Sequence, residues 1–109
     1  MGLSKNFIIQ SIKKNQFRVT EHATMQRIER DITIEDIKRA LLNGEIIEHN
    51  PKSKPYPSCL FLGWLRTGDP LHVKCSLGTR EPRLRIVTVY EPSDEEWESN
   101  YKTRKRMKR

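Results

Sequence analysis

Apolar positions keep a helical period through the first forty residues of the chain and an extended period after it. Leu3, Phe7, Ile8 and Ile12 recur at helical spacing among lysines and glutamines, which predicts an amphipathic helix over 3–14, ended by Asn15. Phe17, Arg18 and Val19 read as a short extended bridge. Thr20 and Glu21 supply a cap and an acidic first turn for a second helix running to about Arg30. On that helix, steps of about 100° set His22, Gln26, Glu29 and Arg30 along one arc, with Met25 and Ile28 toward the core and Arg27 toward the far edge. Asp31 and Ile32 interrupt the pattern. Thr33-Ile34-Glu35-Asp36 then opens a third helix with a threonine cap and acidic first turn, a core stripe of Ile34, Ile37, Ala40 and Leu41, and a stop at Asn43-Gly44.

Beyond Gly44, four runs read as strands: 45–48, 58–66, 71–77 and 84–90. Pro51, Pro55 and Pro57 punctuate the first connection, while Thr67-Gly68-Asp69-Pro70 and the segment 78–82 form turns, so the last three strands read as an antiparallel meander. The expected fold is α+β, with N-terminal helices packed on a four-stranded, mainly antiparallel sheet and a basic C-terminal helix or tail. The run 59–65 is apolar on both faces, which suits a central strand with helices on one side and a partial cover on the other. Residues 94–102 are expected to supply that cover as a helix, with Trp97 and Tyr101 on one face. In the third strand Leu71, Val73, Cys75 and Leu77 point one way, and His72, Lys74 and Ser76 the other. In the fourth, Arg83 and Arg85 share one face, and Leu84, Ile86, Thr88 and Tyr90 the opposite one. Arg85 is expected beside His72 or Lys74, giving a cationic concave surface, although the register is open.

Composition narrows the function classes. The 109 residues suit one domain over 1–101 followed by a basic tail over 102–109. The net charge is +7, and Lys102, Arg104, Lys105, Arg106, Lys108 and Arg109 account for six of those charges, leaving the body at +1. Such a run suits a phosphate-binding arm, or a solubilising end. No apolar run reaches the roughly 20 residues that span a bilayer, and no signal-peptide pattern opens the chain, so a cytoplasmic protein without membrane partners is expected. Cys59 and Cys75 lie in apolar strand runs and read as buried free thiols. His22, His49, His72, Cys59 and Cys75 lack the short spacings of zinc sites, and Gly-rich phosphate loops and GxSxG elbows are absent, which disfavours metal sites, nucleotide hydrolases and esterases.

The ordered set His-Ala-x-x-x-Arg from His22 to Arg27, a helix ending at Gly44, Leu71-His72-Val73, and Thr88-Val89-Tyr90 ahead of Trp97 resembles the family called domain of unknown function 4258, over roughly residues 17–97. That family is similar in turn to RelE-type and MqsR-type messenger-RNA-cleaving toxins with a BECR-like fold. The resemblance implies a RelE-like fold, RNA as partner, a ribosome-linked or free endoribonuclease activity, and a cognate antitoxin. The chain matches no single RelE-type active-site set residue by residue.

The chemistry so implied is metal-independent and needs no cofactor: a base takes the 2′-hydroxyl proton, the oxygen attacks the adjacent phosphate, and an acid protonates the leaving 5′-oxygen. His22 or His72 could act as base or acid, Tyr90 as proton or hydrogen-bond donor, and Arg27, Arg85 or Lys74 as stabilisers of the phosphorane. Arg30, Lys74 and the tail cations Lys102, Arg104, Lys105, Arg106, Lys108 and Arg109 are the candidate RNA-binding residues. Each has an ordinary structural alternative. His22 could flank its helix, His72 could be a half-exposed strand residue, the arginines could be a solvated face, Tyr90 could be a strand-end core residue, and Trp97 reads as packing. The second function class is therefore a noncatalytic RNA- or protein-binding module of the same fold.

Overall fold

A side-chain oxygen starts each of the three helices in the computed structural model, which describes residues 3–105. Ser4 Oγ accepts the Phe7 amide at 3.1 Å at the head of α1 (Lys5–Lys13), and Thr20 Oγ1 accepts the Ala23 amide at 3.2 Å at the head of α2 (Glu21–Glu29). For α3 (Ile34–Asn43) the cap is reciprocal: the Asp36 amide donates to Thr33 Oγ1 at 3.0 Å, and the Thr33 amide donates to Asp36 Oδ2 at 2.9 Å. Leu3, Ile8 and Ile12 from the first segment, with Ile37, Ala40 and Leu41 from α3, are buried as their spacing requires.

The strands are β1 (Phe17–Val19), β2 (Glu45–Asn50), β3 (Ser58–Trp64), β4 (Pro70–Leu77) and β5 (Leu84–Tyr90), in the spatial order β1-β5-β4-β3-β2. The meander β2 to β5 is antiparallel, as expected. The expectation of four strands is corrected: residues 17–19 pair in parallel with β5, Arg18 opposite Arg85, so the sheet has five strands and is mixed. Three residues are too short to carry a period, and only the neighbour β5 makes them a strand.

The helices cover one sheet face, where Cys59, Phe61, Leu71, Val73, Cys75, Leu84, Ile86 and Val89 join the α-helical residues in one buried cluster. Cys59 and Cys75 sit directly opposite each other as free, buried thiols, and their hydrogen bond together with burial holds Cys75 protonated well above the ordinary thiol range. Gly63 lets α3 approach β3 closely.

Two further expectations are corrected. Met25 and Ile28 are 60% and 61% exposed rather than in the core. Helix α2 lies along β5 and turns Ala23 and Gln26 inward; Gln26 Oε1 accepts the Val89 amide at 2.8 Å, so a polar residue takes an inward position because a sheet-edge donor must be satisfied. Residues 94–102 do not form a helix. Asn100 Oδ1 accepts the amides of Lys102 at 2.8 Å and Thr103 at 3.2 Å, and Tyr101 adopts a φ of 60°. This local side-chain turn competes with helix and folds the segment into a loop closed by Glu98 N to Thr103 O and Lys105 N to Glu96 O.

Two substitutions test this packing. A β-carbon at Gly63 would lie 2.5 Å from both Ala40 Cβ and Ala40 O, so Gly63→Ala is expected to lower stability in urea unfolding by about 1–3 kcal/mol through overpacking. Asp36 is held below its usual 3.8, chiefly by the Thr33 amide and then by the Thr33 hydroxyl and the nearby Arg66 and Arg39. Its contribution to stability is therefore complete above pH 3.8 and is lost as pH falls through the lower folded value, and Asp36→Asn should flatten that acid limb of the unfolding curve.

Candidate functional site

Two strands carry one residue more than their partners, and these irregularities decide what the helix-free face of the sheet displays. Lys74 pairs with Thr88 but Cys75 pairs with Ile86, leaving Val87 as the extra residue of β5. Ile46 pairs with Phe61 but Glu48 with Leu60, leaving Ile47 as the extra residue of β2. Strict alternation would place Thr88 and Tyr90 with Leu84 and Ile86 on the helical side. The extra residue reverses them, so Arg85, Thr88 and Tyr90 all face away from the helices.

The open face then consists of cross-strand rows. One row runs Glu45, Leu62, His72, Tyr90; the next Glu48, Leu60, Lys74, Thr88; the last Asn50, Ser58, Ser76, Arg85, Arg18. The expected neighbour of Arg85 is corrected: it stands opposite Ser76, donating to Ser76 Oγ at 3.1 Å, and not beside His72 or Lys74.

Residues 93–105 form a strap over the first row. Trp97 is buried and packs edge-on to His72 with ring centroids 4.4 Å apart. His72 Nε2 lies 2.8 Å from the Tyr101 carbonyl, and His72 Nδ1 lies 3.0 Å from the Tyr90 hydroxyl. A carbonyl can only accept, so in the neutral ring Nε2 carries the proton and Nδ1 accepts the Tyr90 O–H. Two ion pairs fasten the strap to β2: Arg104 grips Glu48 through Nε at 2.7 Å and Nη2 at 3.1 Å, and Lys102 meets Glu45 at 3.0 Å. Arg104 also stacks over Trp97 at 4.7 Å. His72 is therefore fully buried rather than half-exposed, and burial pushes its pKa below 6.5 while the Tyr101 hydrogen bond opposes the shift. Burial likewise raises the Tyr90 phenol above 10.0.

Beside the strap lies a recess of about 270 Å³ lined by Glu48, Asn50, Leu60, Lys74, Thr88, Tyr90 and Arg104. It places a carboxylate, an ammonium, a phenol and a guanidinium around one volume, the elements of proton transfer and anion stabilisation. Of the residues expected from the sequence, Lys74, Tyr90 and Arg104 meet here, His72 supports Tyr90 from behind, and Arg85 stands in the next row. His22 is exposed in the first turn of α2 and does not line this recess. Arg27 donates to the Ile32 carbonyl at 3.4 Å and braces the α2–α3 connection, and Arg30 bonds the Gln26 carbonyl and pairs with Glu29. Lys102 and Lys105 belong to the strap. Arg106, Lys108 and Arg109 lie outside the described residues.

Sequence reading missed Glu48 and Asn50, because only the extra residue at Ile47 brings Glu45, Glu48 and Asn50 to one face. The one signal present was the pair of glutamates, Glu45 and Glu48, in a short strand.

The fold and this face define an α+β protein with a helix-backed meander whose exposed side carries a cationic, strap-bordered recess. Among the described residues no helix is long and apolar enough to cross a membrane. No curated protein and no solved structure matches the chain. The family model described as a domain of unknown function, DUF4258, matches residues 19–91, and the chain belongs to that family. The matched span includes Glu48, His72, Lys74, Arg85 and Tyr90, while Arg18 and the strap lie outside it.

The buried imidazole makes a pH-dependent prediction. Because the His72 pKa is lower in the folded chain than 6.5, the unfolded chain takes up its proton first on acidification. The stability that neutral His72 contributes is complete above pH 6.5 and is lost as pH falls toward the lower folded value. His72→Gln should flatten the fall of the unfolding midpoint that the wild type shows as pH drops below 6.5, and leave the pH dependence above 6.5 unchanged.

Proposed function

We propose that the open sheet face binds RNA and that its recess cleaves it without a metal, as an endoribonuclease of the RelE-like, messenger-RNA-interferase type. The observation that carries this reading is the convergence of Glu48, Lys74, Tyr90 and Arg104 around one recess of about 270 Å³. In the proposed step Glu48 takes the 2′-hydroxyl proton, the 2′-oxygen bonds to the adjacent phosphorus, and the bond to the 5′-oxygen breaks. Tyr90 turns its O–H from His72 Nδ1 to that leaving oxygen and gives it the proton, and Lys74 holds the negative charge of the phosphorane, with Arg85 on the flanking phosphate. The products are a 2′,3′-cyclic phosphate and a 5′-hydroxyl. His72 is a positioning residue that fixes the Tyr90 hydroxyl through Nδ1. His22 and Arg27, on α2, have no part in this step. A cognate antitoxin that covers the cationic face would restrain the activity.

A specific observation favours a second reading, a noncatalytic RNA-binding module: both nitrogens of His72 are engaged in holding Tyr90 and the strap, and Glu48 is held bidentately by Arg104.

Cleavage of a 5′-labelled messenger RNA in EDTA, with and without translating ribosomes, decides between them. The nuclease reading predicts cuts ending in 2′,3′-cyclic phosphate, reduced about 100- to 10,000-fold in folded Glu48→Gln or Tyr90→Phe. RNA bound but uncut under every condition establishes the binding module.

A further inference from the structure

At the other end of the open face, Arg18, Tyr56, Gly78, Thr79, Arg80 and Arg85 line a separate cavity of about 410 Å³. Its size is within the range of ligand sites, and its chemistry is dominated by three guanidinium groups. Arg18 and Arg85 are direct partners on neighbouring strands, an arrangement in which like charges repel. Among the described residues none of the three has a carboxylate partner: Arg85 donates to the Ser76 hydroxyl at 3.1 Å, Arg18 to the Glu81 carbonyl at 3.1 Å, and Arg80 has no ion pair. Elsewhere Arg39 and Arg104 meet carboxylates at 3.3 and 2.7 Å, while among the described residues Arg27 and Arg83 bond only backbone carbonyls.

Arg85 and Arg18 are nevertheless held in place, Arg18 by its bond to the Glu81 carbonyl. The Tyr56 ring lies 5.0 Å from the Arg85 guanidinium carbon, and a β-carbon at Gly78 would come within 2.9 Å of Arg85 Cδ, so the glycine leaves the path that Arg85 follows. Each guanidinium presents five donors and spends few of them on neutral oxygens. Two positioned forks with a third lining the same cavity, none paired with a carboxylate among the described residues, match the oxygens of a phosphate group.

We infer that this arginine cavity is a second phosphate-binding subsite, taking the phosphodiester of a nucleotide next to the one held at Lys74. The inference rests on the reading of the open face as an RNA surface. The Ser76–Arg85 row lies two residues along the strand from Lys74, about 7 Å away, so one strand of RNA could engage both.

Amide spectra of the full chain test it with two probes, inorganic phosphate and a tetrauridylate RNA. Phosphate should shift Gly78 and Thr79 saturably in the wild type and much less in Arg80→Gln. Tetrauridylate should shift those amides together with Lys74 and Thr88, and Arg80→Gln should reduce the salt slope of its affinity by about 0.7 for each phosphate it no longer neutralises. Shifts scattered over all surface cations, or unchanged in Arg80→Gln, overturn the subsite even where Lys74→Gln still weakens RNA binding. A polyglutamate peptide that shifts Gly78 and Thr79 when neither phosphate nor RNA does so also overturns it, in favour of an acidic protein partner. If phosphate and RNA binding depend on Arg80 but not on Lys74, the subsite stands and the recess loses its role in RNA binding.

Discussion

One extra residue in β5, Val87, sets which side of the sheet can carry chemistry. Up to Ile86 the strand alternates as its sequence suggests, with Leu84 and Ile86 buried among the helices and Arg85 outside. After Val87 the phase is reversed, so Val89 fills the core and Thr88 and Tyr90 turn outward. Without that residue Tyr90 would point into the helical layer and His72 would lose the hydroxyl that Nδ1 accepts. The matching irregularity at Ile47 does the same for Glu48. A carboxylate on one side of the face and a phenol on the other are thus brought to the central Lys74 by two local departures from pairing.

Burial on the open face follows from the strap. Leu60 and Leu62 point away from the helices yet are 4% and 1% exposed, and Trp97 and His72 are buried on the same side. A second, smaller apolar cluster therefore stabilises the face opposite the main core. Its polar members are satisfied internally: the imidazole has both nitrogens bonded, and Arg104 and Lys102 meet Glu48 and Glu45. Charge is consequently divided. Lys102 and Arg104 in the strap are neutralised by β2, whereas Arg18, Arg80 and Arg85 at the far end are not paired with carboxylates among the described residues. Attraction for a polyanion is concentrated there rather than in the part of the C-terminal run that the structure describes.

The helices were legible in the sequence because caps and period coincide. Thr33 with Asp36, and Ile37 with Ala40 and Leu41, are local signals that tertiary structure had no reason to override. The meander was legible for the same reason, as were the free thiols Cys59 and Cys75. What was not legible depends on partners distant in sequence. Residues 17–19 become a strand only beside β5. Met25 and Ile28 are exposed because Gln26 is needed at the edge of β5. The reversal at Val87 leaves no mark in a strand that alternates acceptably in either phase. Half of the candidate site was accordingly visible: Lys74, Tyr90, Arg85 and Arg104 could be named from the sequence, but Glu48, Arg18, Tyr56 and Arg80 emerge only when the sheet is assembled.

The central claim is that RNA lies on the open sheet face and not on α2, where His22 and Arg30 stand. Photocrosslinking of a 4-thiouridine RNA to the full chain, with adducts mapped by mass spectrometry, addresses it most directly. The account predicts adducts at Tyr56, Tyr90 and neighbouring residues of β4 and β5. Adducts concentrated between His22 and Arg30, with the open face unmarked, would contradict it.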